Sequence, residues 1–429
     1  MADLLELSAR IIDEGIVDEP VNRITQELSE VGDGVAVIES FSHVVVFPTN
    51  DGLVLFDTSG ALTASRVVAS LREWSDAPVD TIVYTHGHVD HVGGSGAFAA
   101  DARQRGDRKP RVIAHAAVPA RFERYGLTDG YNRTINARQF GGAAAADLAL
   151  GGDARFLPAD HLAPDVTFTD HLQVETGGTQ LALHHGRGET DDHLWAWAPA
   201  QRAICSGDFL IWNFPNAGNP QKVQRYPTEW AAALREMVGR EPELLLPAHG
   251  LPVSGRERIA RVLTEVAGAL EQLVADVLEM MNAGERLDTI VHSVSVAPDL
   301  LARPYLRPLY DEPEFVIHNV WRLYGGWYDG NPSHLKAAPD AVFATEVAAL
   351  AGSADLLARR AREVAEGGDL RLACQLVELA VQAEPESREV HGARADIYAQ
   401  RRRTESSLMA KGIYGFAARE SKAFIDGSD

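Results

Sequence analysis

His86-Gly87-His88-Val89-Asp90-His91 follows the apolar run Thr81-Ile82-Val83-Tyr84 and precedes Gly93-Gly94. Three imidazoles and a carboxylate in one short segment can load two metal ions, provided that a strand fixes their approach and small residues let the backbone turn. Upstream, Val44-Val45-Val46-Phe47 and Leu53-Val54-Leu55-Phe56-Asp57 flank the turn Pro48-Thr49-Asn50-Asp51-Gly52 and predict a β-hairpin closed by an acidic residue. Between hairpin and cluster, Ala61 to Trp74 carries Val67, Val68, Leu71 and Trp74 at helical spacing, and Pro78 ends the segment. The order strand, helix, strand places the histidines at the carboxyl end of a strand in an α/β layer, where loops converge on rigid backbone.

Downstream, Arg111-Val112-Ile113-Ala114 reads as a strand ending at His115, which is taken as structural because its neighbours lack metal-binding types. Gly126, Gly130, Gly141, Gly142, Gly151 and Gly152 make residues 120 to 160 an extended loop region, from which Tyr131, Arg133, Asn136 and Arg138 could line a substrate cleft. Leu181-Ala182-Leu183-His184-His185 then enters a polar, glycine-bearing turn that leads through Glu189 and His193 to the strand Leu194-Trp195-Ala196-Trp197. Glu189 is the expected metal ligand of this turn and His193 a second candidate. At most one of His184 and His185 can face a site, since strand side chains alternate. Two further apolar strands deliver Gly207-Asp208 and Pro247-Ala248-His249-Gly250, each a single ligand-type residue beside glycine.

A length of 429 residues suggests two domains. The net charge of -21 argues against general affinity for nucleic acid or an anionic membrane, so an anionic substrate has to be received locally, by metal or placed Arg. Cys205 and Cys374 form no CxxC pair and imply no disulfide framework. The acidic start Met1-Ala2-Asp3-Leu4-Leu5-Glu6 and the lack of a long apolar span point to the cytoplasm.

The ligand series resembles the metallo-β-lactamase superfamily over roughly residues 34 to 255. The resemblance implies an α/β fold, a four-layer αβ/βα sandwich with a binuclear metal site between its sheets. In that frame His86 and His88 hold one metal, Asp90, His91 and His249 hold the other, and Asp208 bridges. Where most hydrolases of the superfamily have Gly-His-Thr, this chain has Gly188-Glu189-Thr190, which looks like the type III alkylsulfatase branch. The stretch Trp321-Arg322-Leu323-Tyr324-Gly325-Gly326-Trp327-Tyr328-Asp329-Gly330-Asn331-Pro332 likewise resembles the start of the alkylsulfatase dimerisation domain. The expected division is therefore 1–255 catalytic and 256–429 helical, in a homodimer. A sterol-carrier-like third domain, frequent in that branch, is not expected after Asp429.

Read without the family, Ile259, Val262, Leu263, Val266, Leu270, Leu273, Val277 and Met281 stripe one long helix, and 356–364, 370–383 and 388–398 give further helices. The ligand set implies hydrolysis by a hydroxide shared between two divalent ions, with zinc the default and manganese or iron compatible with the carboxylates. Asp90 and Asp208 would be its catalytic carboxylates. The resemblance implies alkyl sulfate esters as substrates. The alternatives are another ester, a lactone or a phosphoester, or a non-catalytic dimeric binding module. In the branch an Arg soon after the bridging carboxylate binds sulfate; here Asn216 matches the Asn of that segment, but no Arg precedes Arg225. Lys222, Arg225, Arg133 and Arg138 are the available cations, with Trp212 and Phe214 as apolar walls.

Overall fold

The structure is a computed structural model that describes residues 3–32, 34–140 and 155–427. Among the described residues, thirteen strands form two sheets. The first contains β1 (Leu28–Gly32), β2 (Val35–Ile38), β3 (Val44–Thr49), β4 (Gly52–Phe56), β5 (Val79–Val83), β6 (Arg111–His115) and β7 (Val166–Phe168) in sequential order, antiparallel as far as β4 and parallel beyond it. The second contains β8 (His171–Thr176), β9 (Thr179–His185), β10 (Leu194–Ala198), β11 (Ala203–Gly207), β12 (Leu244–Pro247) and β13 (Val253–Ser254), ordered 13-12-11-10-9-8. Only its β11–β12 pair is parallel.

Side-chain alternation builds four layers from these sheets. On β4, Val54 and Phe56 join Val45, Phe47, Leu181, Leu183 and Leu194 in one apolar cluster between the sheets. Leu53 and Leu55 face the other way, with Val67, Leu71, Phe98 and Phe122 of the helices outside the first sheet. On the second sheet Trp195, Ile204 and Leu245 turn outward against Trp230, Leu234 and Ile259. The result is the expected αβ/βα sandwich.

One of the sequence readings needs correction. Residues 118–140 are helical, as Val118–Leu127 and Asp129–Phe140, and only 155–160 of the expected loop is irregular among the described residues. Val118, Arg121, Phe122 and Tyr125 recur at helical spacing and are buried, a stripe obscured in the sequence by Pro119, the charged Arg121, Glu123 and Arg124, and the glycines that follow. Gly141, Gly142, Gly151 and Gly152 lie outside the described residues.

The described residues fall into two compact units. One compact unit holds the described residues to Arg133 and from 155 to Gly326; the other holds 134–140 and Trp327 onward. Helix Arg256–Asn282 stays with the sandwich because Ile259, Val262, Leu263, Val266, Leu270 and Leu273 pack against Trp230, Leu234 and Met237. Each such side chain contributes about 1.5–3 kcal/mol when fully buried. Its stripe is thus core. The second unit is all-helical beyond Pro332, with Leu357, Ala361, Val377, Ala380, Val390 and Ile397 in its core, and Asp369 and Ser387 cap two of its helices. No single helix among the described residues is long and apolar enough to cross a membrane.

Candidate metal centre

Each ligand-type residue stands just past the carboxyl end of a strand or in a turn between strands. β5 delivers His86, and His88 precedes the short helix Val89–Val92, which carries Asp90 and His91. β11 delivers Asp208 and β12 delivers His249. Their donor atoms converge in two groups, His86 with His88 and Asp208, and Asp90 with His91 and His249, all atoms of a group lying within 4.8 Å of one another.

Asp208 belongs to both neighbourhoods. Its Oδ2 is 3.8 Å from His86 Nε2 and 3.5 Å from His91 Nε2, and its Oδ1 is 3.6 Å from His249 Nε2. Asp90 Oδ2 lies 3.4 Å from His249 Nε2 and 3.5 Å from His91 Nε2. His91 Nε2 and Asp208 Oδ1 are buried without a hydrogen-bond partner. A polar cluster evolved only for packing satisfies such atoms. Nitrogen and oxygen donors directed at one small space fit divalent cations.

The electrostatics agree with that fit. Burial and neighbouring imidazoles hold His86 well below its ordinary pKa; burial, Arg225 and Arg121 do the same for His88. Both rings therefore keep free lone pairs. At His91 and His249 burial works in the same sense, but Asp208 and Asp90 outweigh it and raise both. Burial also opposes ionisation of Asp90 and Asp208, yet His91 and His249 hold both carboxyls below the usual range. Cations can displace the protons that such a cluster retains.

A surrounding shell orients the donors. Asp57, the acid that closes the hairpin, has φ +62° and accepts from Thr85 N–H and Thr85 Oγ1 at 2.7 Å each, with its Oδ2 also 2.7 Å from His91 Nδ1. That contact turns His91 Nε2 toward the site. Asp208 N–H donates to His193 Nε2 at 3.1 Å, and burial drives the His193 imidazole down to about 3, so it stays a neutral acceptor. His193 therefore supports Asp208 from beneath. Arg121 is buried on Asp191 and Asp192, and Asp192 accepts from Gly87 N–H, so the turn between His86 and His88 is held from below.

His249 is held by its following turn. Gly250 has φ +88°, and a Cβ there would lie 2.3 Å from Trp212 Cδ1. The His43 ring bridges Ser40 N–H and the Gly250 carbonyl at 3.0 and 2.8 Å. Gly250→Ala is expected to cost at least about 1–3 kcal/mol in backbone strain alone and to displace His249. Metal analysis should then show fewer ions per chain than in the parent; equal content would show that the turn tolerates the change.

Glu189 stands beside the first group but in neither triad: its Oε1 is 3.5 Å from His88 Nδ1 and 2.8 Å from Arg225 Nη1, and Asn216 Nδ2 donates to it. Burial pushes its carboxyl up to about 8, with Arg225 pulling the other way and Asp208 adding to the rise. Arg225, fully buried, also donates to the Glu189 carbonyl at 2.6 Å. Burial and Arg225 lower half-buried Lys222 to about 8, and its Nζ lies 5.7 Å over the Phe156 ring. Asn216, Lys222 and Arg225 are thus brought to the Glu189 side of the centre.

Other expected residues are elsewhere. Trp212 is fully buried and donates its indole N–H to Leu251 C=O at 2.7 Å, so it backs the Gly250 turn and is closed to a substrate chain; Phe214 is equally buried. Tyr131 and Arg133 are exposed on their helix, Arg133 pairing with Asp129 at 3.0 Å. His115 stacks on His185 at 3.9 Å and bonds the Thr169 carbonyl, a structural role as expected. Sequence reasoning missed Asp57 as an orienting group, although a strand ending in Asp was visible. It missed Arg121, whose helix had been read as loop, and Tyr310, whose phenol is raised by burial and then by Glu189 and Asp90.

The sandwich and the shared carboxylate between two donor groups define a metallo-β-lactamase-type hydrolase centre. A model of the metallo-beta-lactamase superfamily matches residues 37–249, and one of alkyl sulfatase dimerisation matches 286–423. The chain belongs to the metallo-β-lactamase superfamily, in the group that joins this fold to an alkyl sulfatase dimerisation region. It is 26% identical over 390 residues to a linear primary-alkylsulfatase of Pseudomonas sp., covering 88% of this chain and 73% of that one. With an (R)-specific secondary-alkylsulfatase of Pseudomonas sp. it shares 25% over 400 residues, covering 88% of this chain and 60% of the other. A solved stereoselective inverting sec-alkylsulfatase from Pseudomonas sp. has the same fold, with a TM-score of 0.81 at 22% identity over 94% of this chain and 66% of that one.

Proposed function

We propose that this protein is a binuclear metal-dependent hydrolase that cleaves alkyl sulfate esters to alcohol and inorganic sulfate. The observation that carries the reading is the shared Asp208 carboxylate between the two donor groups, with the Glu189–Arg225–Asn216 set beside one of them. The names of the alkylsulfatase relatives support the substrate class. His86, His88 and Asp208, with Glu189 alongside, would hold one cation; Asp90, His91, His249 and Asp208 would hold the other. When bound, two divalent cations lower the pKa of a shared water and accept charge that develops on the ester. Zinc suits the mixed imidazole and carboxylate donors, and manganese or iron is compatible with the carboxylates.

The chain's own residues supply orientation and local positive charge. Arg225 Nε is buried without a hydrogen-bond partner, next to the Glu189 that its Nη1 already holds. An anionic group with several oxygens suits a guanidinium with a donor to spare. Asp57 and His193 keep His91 and Asp208 in register, and Arg121 fixes the Gly87 turn. The deciding assay measures released sulfate from a panel of alkyl sulfates, with lactones and phosphodiesters as controls. Chelator-stripped protein should lose the activity and regain it with added zinc or manganese. Metal-loaded protein that frees no sulfate would refute the reading.

The same reading includes a homodimer formed through the helical unit. Helix Asp340–Ala351 buries only Ala344 and Ala348, while Val342, Phe343 and Leu350 are 55%, 56% and 88% exposed. Large apolar groups left so open on one helix are what a partner surface requires. Light scattering should return twice the chain mass, and Phe343→Glu with Leu350→Glu should shift it toward one chain. A monomeric parent would remove the dimer.

A further inference from the structure

We propose that Asn319 is a positioning residue that sets Arg225 for anion recognition, an inference that rests on the proposed function. Asn319 lies on helix Pro313–Tyr324, in the same compact unit as the sandwich, and is 2% exposed. Its carboxamide closes a two-bond ring on the main chain of Arg225, accepting from Arg225 N–H at Oδ1 (3.3 Å) and donating from Nδ2 to Arg225 C=O (3.0 Å). This is the pairing that one strand gives another. Arg225 lies in no strand or helix, so its buried N–H and C=O need such a partner.

The ring is itself held. Gln224 Nε2 donates to Asn319 Oδ1 at 2.9 Å and to Arg225 C=O at 2.9 Å, and Arg322 donates to Asn319 Oδ1 at 3.1 Å and to Gln224 Oε1 at 2.9 Å. A carboxamide can accept from the N–H and donate to the C=O of one residue at the same time, from two separate atoms. Leu has the volume and neither bond. Asp keeps the acceptor, loses the donor, and brings a negative charge against the Arg225 carbonyl. With its backbone so fixed, Arg225 reaches both the Glu189 carbonyl and carboxylate, and its Nε–H remains for a further acceptor. The Asn319 hydrogen bonds run to Gln224, Arg225 and Arg322 and to no donor atom of the metal groups, so its effect on recognition has to pass through Arg225.

The test compares Asn319→Leu, Asn319→Asp and Gln224→Ala, with inorganic sulfate as probe. For Asn319→Leu, KM for an alkyl sulfate and the dissociation constant of sulfate by calorimetry should rise together by about tenfold or more, since small displacements of a positioning group have effects of that size. The kcat and the metal content should change far less. Asn319→Asp should fall between parent and Asn319→Leu. Adding Asn319→Asp to Arg225→Lys should raise neither constant further, because both changes act on one guanidinium.

A lowered melting temperature with parental KM and sulfate affinity would make Asn319 merely structural and overturn the inference, as would full additivity with Arg225→Lys. If Asn319→Leu does not fold, Gln224→Ala reads the same quantities, and parental values there count against the proposal. Parent protein that binds sulfate but hydrolyses no alkyl sulfate would defeat the proposed function alone, leaving the Asn319 effect to be read from sulfate affinity.

Discussion

Asp208→Ala is expected to lower kcat/KM for the best alkyl sulfate by about a thousandfold or more, close to 4 kcal/mol of transition-state stabilisation. The magnitude follows from its place: Asp208 has one oxygen 3.8 Å from His86 Nε2 and 3.5 Å from His91 Nε2 and another 3.6 Å from His249 Nε2. Removing it takes a donor from both groups and a counter-charge from His91 and His249. Metal bound per chain should fall below two, and the rise in melting temperature on adding zinc should shrink, since stabilisation by a ligand follows its affinity. A variant that keeps two ions and near-parental activity would show that the two groups do not share this carboxylate.

Arg225→Met is expected to raise KM for alkyl sulfates ten- to a hundredfold with a smaller change in kcat, the equivalent of about 1.5–3 kcal/mol for a lost hydrogen bond to a charged group. Arg225→Lys should recover only part, because both Glu189 contacts come from Nη1 and an ammonium in its place has no second nitrogen corresponding to Nε to offer an anion. Stability should change with a definite sign in the metal-free protein. The Glu189 carboxyl is raised from 4.5 to about 8, so its contribution to folding is fully favourable below 4.5 and is lost as pH rises through 8. Without Arg225 the carboxyl titrates higher still. Denaturant unfolding should therefore show the Glu189 part of the difference between variant and parent growing only above about pH 8; a gap already complete at pH 6 would mean that Arg225 stabilises chiefly by packing.

Residues whose chemistry is local were legible early. His86, His88, Asp90 and His91 share one segment, and Asp208 and His249 each follow a run of apolar strand residues, so type and placement could be read together. The hairpin to Phe56 and the helix Ala61–Trp74 announced themselves through alternation and helical spacing. The helix Val118–Leu127 did not, because its glycine and polar residues hide a stripe that only the first sheet's outer face makes apolar in effect. The surface that helix Arg256–Asn282 covers was not legible for a related reason. An amphipathic helix shows that it buries one face, while the identity of the surface it covers depends on where Trp230 and Leu234 come to lie.

By itself, the sequence determined that ligand-type residues stand at the ends of strands, because ligand type, glycine turns and strand periodicity are all properties of short segments; the αβ/βα sandwich and the sharing of those residues between two metals were what the family resemblance implied. Tertiary structure alone decided which groups govern them. Asp57 meets His91 across 34 residues, Asn216 meets Glu189 across 27, and Asn319 meets Arg225 across 94. Such pairings depend on the closing of loops whose ends the core brings together. No local pattern of residues records them.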